Sequence, residues 1–121
     1  MRIHICRMAE KLARSHHTPG SRFRLGAIYC QGSRVFARGC NSNKPAGTAP
    51  NSTHAEDACL RRVPVVAGGD LYVCRALADG TIAMARPCDK CMKLIREKGV
   101  ETVHYSNKNG EWKSEEIIYE R

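Results

Sequence analysis

No run of this chain is apolar for long enough to cross a membrane as a helix. The first residues, MRIHICRMAEKLARSHH, lack the apolar core of a secretory signal. Those two absences exclude a helical membrane protein and an exported one, and point to the cytoplasm. Aromatic residues are scarce: two Phe, one Trp and four Tyr. Proteins that grip single-stranded nucleic acid normally offer stacking aromatics, and several of these seven are needed for a core. Acidic residues are also few, 12 Asp and Glu against 20 Lys and Arg, which leaves a formal net charge of +8. Such a surface attracts nucleotides, nucleic acids or other anions, and equally serves plain solubility. Internal repeats and linkers are missing too. With 121 residues and 42% hydrophobic content, the chain reads as one globular domain over 1–121.

Seven cysteines are present, at 6, 30, 40, 59, 74, 88 and 91. An odd number, mostly inside apolar stretches, fits free thiols in a reducing compartment. Cys30, Cys40, Cys59 and Cys74 read as fillers of core space. Only Cys88 and Cys91 stand at a spacing with chemical meaning.

Ile5, Met8, Ala9, Leu12 and Ala13 repeat at helical spacing, and Pro19-Gly20 punctuates the end of that helix. RLGAIYC (24–30) and RVFARGC (34–40) read as strands joined in a hairpin through Gln31-Gly32-Ser33. The polar segment NSNKPAGTAPNS is a loop. A short helix runs from Thr53 to before Pro64, DLYVCRA (70–76) is a strand, and Pro87 opens a helix that Gly99 closes. VETVHYS and EWKSEEIIY are the last two strands. The order α-β-β-α-β-α-β-β predicts an α/β fold, a three-layer α-β-α sandwich around a mixed five-stranded sheet.

Two short motifs carry chemistry. Thr53-His54-Ala55-Glu56 matches a capping box, in which Glu56 folds back onto the backbone of Thr53. Pro87-Cys88-Asp89-Lys90-Cys91 sets two thiols at i and i+3 on a helix. Alone this suits a redox dithiol, half a zinc ribbon, or two ligands of one metal ion. A ribbon needs a second Cys pair, which the chain lacks. Taken together, His54, Cys88 and Cys91 make three ligands for Zn²⁺ with a fourth position open, the arrangement of a catalytic centre. Glu56 then stands beside the metal as the proton carrier.

His54-Ala55-Glu56 followed by Pro87-Cys88-x-x-Cys91 resembles the zinc-dependent cytidine/deoxycytidylate deaminase superfamily. The likeness extends to the element order and so to nearly the whole chain. It implies a cytidine deaminase-like fold, zinc held by His54, Cys88 and Cys91, and Glu56 moving protons between water, the ring nitrogen and the leaving ammonia. It implies that the backbone of Ala55, Pro87 and Cys88 lines the base. RGCN resembles the family's Gly-x-Asn, whose asparagine contacts the sugar, so Asn41 is the candidate, with loop capping as its alternative. Met84 and Arg86 lie where substrate-contacting loops sit.

Branches of the superfamily are less clear-cut. GCN, RPCDKC and REKGVETVHYS read like deoxycytidylate and tRNA adenosine deaminases. The last two strands have only Ser106–Gly110 between them, too short for a helix, so the final strand is predicted antiparallel, as in free-nucleoside deaminases. The basic stripe Arg7, Lys11 and Arg14, with His16, His17, Arg22 and Arg24 nearby, could track phosphates. Three readings follow: a hydrolase of a free cytosine nucleoside or nucleotide, which is favoured; a deaminase of single-stranded DNA, RNA or tRNA; and a zinc-stabilised binding module without activity. The acid beside the metal speaks against the third. The family likeness also implies a homo-oligomer, a dimer or tetramer.

Overall fold

Ile5, Ala9 and Ala13 recur every four residues, so a helix over them buries one stripe and leaves its charges in water. That helix is α1, Ile3–Ser15. The computed structural model to which it belongs describes residues 1–15, 23–41, 55–63, 68–77 and 79–117. β1 (Phe23–Gln31) and β2 (Arg34–Cys40) form the predicted antiparallel hairpin, turned by Gly32 at a φ of 60°. The remaining elements are α2 (Ala55–Leu60), β3 (Asp70–Leu77), β4 (Ile82–Ala83), α3 (Asp89–Lys98), β5 (Thr102–Ser106) and β6 (Trp112–Glu116).

The main path of the sheet runs β2-β1-β3-β5-β6. β3 and β5 are parallel, with α3 in their crossover, and every other pair is antiparallel, including the β5–β6 hairpin expected from its short connection. The sheet has six strands rather than the predicted five. The extra one, β4, has two residues and pairs antiparallel with β3. Two residues carry no readable periodicity, so nothing in the sequence marked it.

Alternation along the strands divides the core in two. Ala27, Tyr29, Leu71, Val73 and Val103 face the layer that holds Ala55, Cys59 and Leu60 of α2 and Ile95 of α3. Ile28, Cys30, Tyr72 and Cys74 face α1. The result is the expected three-layer sandwich, α1 on one side and α2 with α3 on the other.

Two polar clusters tie the α1 side together. Buried Glu10 accepts from Arg7 at 2.9 Å and from the Trp112 indole at 2.9 Å, so α1 is bonded to β6. Buried His104 on β5 places Nε2 2.8 Å from Asp70 Oδ2 and Nδ1 2.7 Å from Ser114 Oγ, linking β3, β5 and β6. Its ring lies against Tyr72, centroids 4.3 Å apart.

Candidate active site

Helix α2 reaches the sheet so closely because of Gly39. A Cβ there would run into the backbone of Cys59 and come within 2.6 Å of the Ala55 carbonyl oxygen. Gly26 does the same for α1, where a Cβ would lie 2.9 Å from the Ala13 nitrogen. In both cases the obstacle is backbone, which cannot rotate away. Gly39→Ala is therefore expected to cost about 1–3 kcal/mol, as overpacking does. At roughly 4 °C per kcal/mol for a domain of this size, that is a fall of about 4–12 °C in Tm. Gly26→Ala should cost a similar amount on the opposite face. Unchanged thermal unfolding of either variant would mean that the helix seats are softer than the contacts require.

The close seat fixes Ala55 and Glu56, the first two residues of α2, against the sheet, both buried. On the same face, α3 begins at Cys88, its N-cap residue, with extended φ −69° and ψ 168°. Pro87, the predicted helix start, is buried just before it, so the helix proper begins two residues later, at Asp89. Cys91 and Ile95, one turn apart, point inward and are buried. The far end of α3 is closed as predicted by Gly99, left-handed at φ 83°, whose N–H donates to Arg96 while Val100 N–H donates to Ile95.

These two helix starts bring Glu56, Cys88 and Cys91 together. The Cys91 thiol is within hydrogen-bond reach of both the Cys88 sulfur and the Glu56 carboxylate. Burial first, then the charge of Glu56, push that thiol well above the ordinary cysteine range. Two acidic groups whose charged forms repel are poorly matched without a cation between them. A soft divalent ion reverses both effects by stabilising the thiolate, so the donor set fits zinc. Among the described residues no group of three or more His, Cys, Asp and Glu side chains is set to hold a metal ion. Cys88 and Cys91 are the two expected ligands that the described residues include. The third expected one, His54, lies outside the described residues, as does Thr53 of the capping box.

The remaining cysteines differ in kind. All seven are free, and Cys6, Cys30, Cys59 and Cys74 are fully buried, with Cys40 partly so. Burial lifts Cys6, Cys30 and Cys74 to about 11 and Cys59 to about 12, so all four stay protonated and inert near neutral pH. Cys88 alone is exposed.

Asn41 is buried at the end of β2 and is bonded to β1: Leu25 N–H donates to its Oδ1 at 2.8 Å, and its own N–H donates to the Leu25 carbonyl at 3.3 Å. Leu25 pairs with Arg75, whose N–H donates to Ser106 Oγ, and Ser106 accepts Ala85 N–H at its carbonyl. Asn41, the carboxyl ends of β3 and β5, and the segment entering α3 thus share one end of the sheet. Ligands of open α/β sheets bind outside the carboxyl ends of the strands.

Sequence reasoning missed Glu115. It grips Arg86 through two 2.9 Å bonds and so ties the segment before Cys88 to β6. Arg86 beside it holds the Glu115 carboxyl below the usual range. Opposite charges 29 positions apart leave no local signal. Met84 is 46% exposed. The basic stripe is exposed, and several of its members have partners. Arg7 is held by Glu10, Arg14 donates to the Gly80 carbonyl at 3.1 Å, and Arg24 donates to the Arg14 carbonyl at 3.2 Å. His16, His17 and Arg22 lie outside the described residues. Among the described residues no helix is long and apolar enough to cross a membrane.

Residues 2–107 match the family model described as the cytidine and deoxycytidylate deaminase zinc-binding region. Among solved structures, the dCMP deaminase from the cyanophage S-TIM5 is 25% identical, with a TM-score of 0.61 over 88% of this chain and 86% of that one. Cytidine deaminase from Burkholderia pseudomallei superposes with a TM-score of 0.70 over 96% of this chain and 93% of that one, at 21% identity. Cytidine deaminase from Mycobacterium tuberculosis gives a TM-score of 0.61 over 88% and 85%, at 21% identity. At 21% the likeness speaks to the fold. No curated protein matches the chain.

Proposed function

The chain belongs to the cytidine and deoxycytidylate deaminase family, and from that premise we propose that it is a hydrolase converting cytosine to uracil, with release of ammonia, in a free nucleoside or nucleotide. Its substrates are of the cytidine, deoxycytidine or dCMP class. The observation that carries this reading is the meeting of Glu56 with Cys91 and Cys88 at the starts of two helices on one face of the sheet. Residues 1–121 act as one zinc-dependent deaminase domain in a homo-oligomer, and the free cysteines suit the reducing cytoplasm.

Zinc binding is a property of the family, and His54, Cys88 and Cys91 are the residues that would hold the ion here. When bound, it supplies Lewis acidity that brings the pKa of a water molecule toward ~7. The chain's own residues do the rest. Glu56, buried and next to Cys91, takes a proton from the attacking water and delivers it to the ring N3 as the new C–O bond forms at C4. It then passes the second proton to the departing amino group as the C4–N bond breaks, so that water and cytosine leave as uracil and ammonia. The backbone at Ala55, Pro87 and Cys88 frames the base, and Asn41 stands at the same end of the sheet for the sugar.

The antiparallel β6 supports cytosine over adenine as the base, because that ending resembles the free-nucleoside branch. The cyanophage S-TIM5 dCMP deaminase, solved with dCMP and dUMP, extends the range to a nucleotide. Ammonia release from cytidine, deoxycytidine, dCMP, adenosine and short oligonucleotides tests the reading. Uracil products from one or more of the first three are expected. Inosine from adenosine, with no uracil product from any cytosine compound, would overturn it.

A further inference from the structure

The edge strand β2 carries an aromatic ring where a strand normally buries one. Between Tyr29↔Ala37 and Cys30↔Val35 the β1–β2 register slips and passes over Phe36, a β-bulge. The displaced ring is 46% exposed. The Arg34 guanidinium lies over it, 5.1 Å from the ring centre. On the far side of the bulge Arg38 is exposed, and exposed Arg62 lies across from it at the end of α2.

Two concavities adjoin at Arg38. One, about 330 Å³, is lined by Val35, Phe36, Ala37, Arg38 and Arg62. The other, about 280 Å³, passes onto the α1 face, with Met8, Leu12 and Ile28 in its floor and Lys11 and Ser15 beside Arg38. Each is at or below the small end of the range for a ligand pocket. An extended chain crossing the sheet edge would fill both in series. Among the described residues no ion pair neutralises Lys11, Arg34, Arg38 or Arg62. The sequence around them is one-sided as well: from Lys11 to Ala55 there is no Asp or Glu, although the whole chain has 12.

We propose that this edge of the molecule, Phe36 with Arg34, Arg38, Arg62 and Lys11, binds single-stranded nucleic acid. The polymer's two repeating features match the surface. Its phosphates meet a line of cations without carboxylates among them, and a base stacks on the Phe36–Arg34 platform. An acidic peptide would satisfy the cations and leave the ring idle. The surface lies along β2, away from the helix starts that carry Glu56, Cys88 and Cys91, so it holds a polymer without acting on it. It neither requires nor excludes the deaminase reading, because its test is binding.

The test is fluorescence anisotropy of a labelled oligo-dT and an oligo-U of fifteen nucleotides across a salt series. Three phosphate contacts predict a slope of log K against log salt near −2, at about −0.7 per contact. Arg38→Gln with Arg62→Gln should flatten that slope by about 1.4. Phe36→Ala should weaken binding about tenfold and leave the slope alone. Lys93→Gln with Arg96→Gln, two exposed cations on α3, removes the same charge elsewhere and should leave the slope unchanged. Circular dichroism checks that each variant folds. No oligonucleotide binding at low salt, or equal flattening by the α3 pair, overturns the proposal. So does sedimentation in which the β2 variants break a dimer and leave oligonucleotide binding intact, because a second copy of the chain would then cover the edge.

Discussion

Glu56→Gln is expected to lower kcat on the cytosine substrate by about 10⁴-fold, the upper end of what a general acid–base contributes, because one carboxylate serves both proton transfers. Zinc content and fold should stay intact. Gln keeps the size of Glu and cannot carry a proton. It also removes the negative charge that lifts the Cys91 thiol. A buried carboxylate pressed against a thiol is a cost to the metal-free fold, so Tm of the apo variant should equal or exceed that of the apo wild type. The two measurements separate the competing roles of this residue. A capping glutamate that satisfies backbone at the start of α2 would, when replaced, lower Tm by an amount matching ~1 kcal/mol and leave turnover near normal. A proton carrier gives the opposite pair of results. Steady-state kinetics and thermal unfolding of the same preparation decide between them.

Much of this architecture was legible because the signals were local. α1 showed itself through Ile5, Ala9 and Ala13 four apart, and the β1–β2 hairpin through Gly32. The β5–β6 hairpin followed from a connection too short for a helix. Element ends drifted by one or two residues, as at Cys88, which caps α3 rather than lying within it. What could not be read was set by pairing across distance. The grip of Glu115 on Arg86, the Asp70–His104–Ser114 link and the bond from Trp112 to Glu10 join residues with no sequence relation. Phe36 shows the same limit. Several of the seven aromatics were expected in the core, and Tyr29 and Tyr72 lie there fully buried, but the sequence does not say which rings stay outside. The bulge that turns Phe36 outward depends on how β2 registers against β1, which composition does not encode.

The motif halves were legible for a different reason. Each alone had an ordinary reading, and only a fold that brings the starts of α2 and α3 to one face makes them a unit. Gly39 is part of that logic: its missing side chain lets Ala55 and Glu56 come down onto the sheet beside α3. The motif RGCN marked this glycine in the sequence, but not its contact with α2.

Cys91→Ala is expected to abolish stoichiometric zinc and to make the protein insensitive to added zinc in thermal unfolding. Cys91 is the inward thiol of the pair, 4% exposed and anchored in the first turn of α3, whereas Cys88 is exposed at the cap. A metal ion that binds the folded chain and not the unfolded one stabilises by about 4 kcal/mol when its free concentration is a thousandfold above Kd. For a domain of this size that corresponds to roughly 15 °C in Tm. Wild type stripped with a chelator should lose that increment and regain it on titration with zinc. In Cys91→Ala the increment should be missing at every zinc concentration, because a ligand set reduced to His54 and Cys88 binds far more weakly. The metal-free variant itself should unfold close to metal-free wild type, since alanine replaces a small buried thiol and relieves its contact with the Glu56 carboxylate. That comparison keeps the test clear of simple misfolding. Elemental analysis showing zinc retained in Cys91→Ala, with an undiminished thermal response, would remove Cys91 from the ligand set and with it the three-ligand reading of this site.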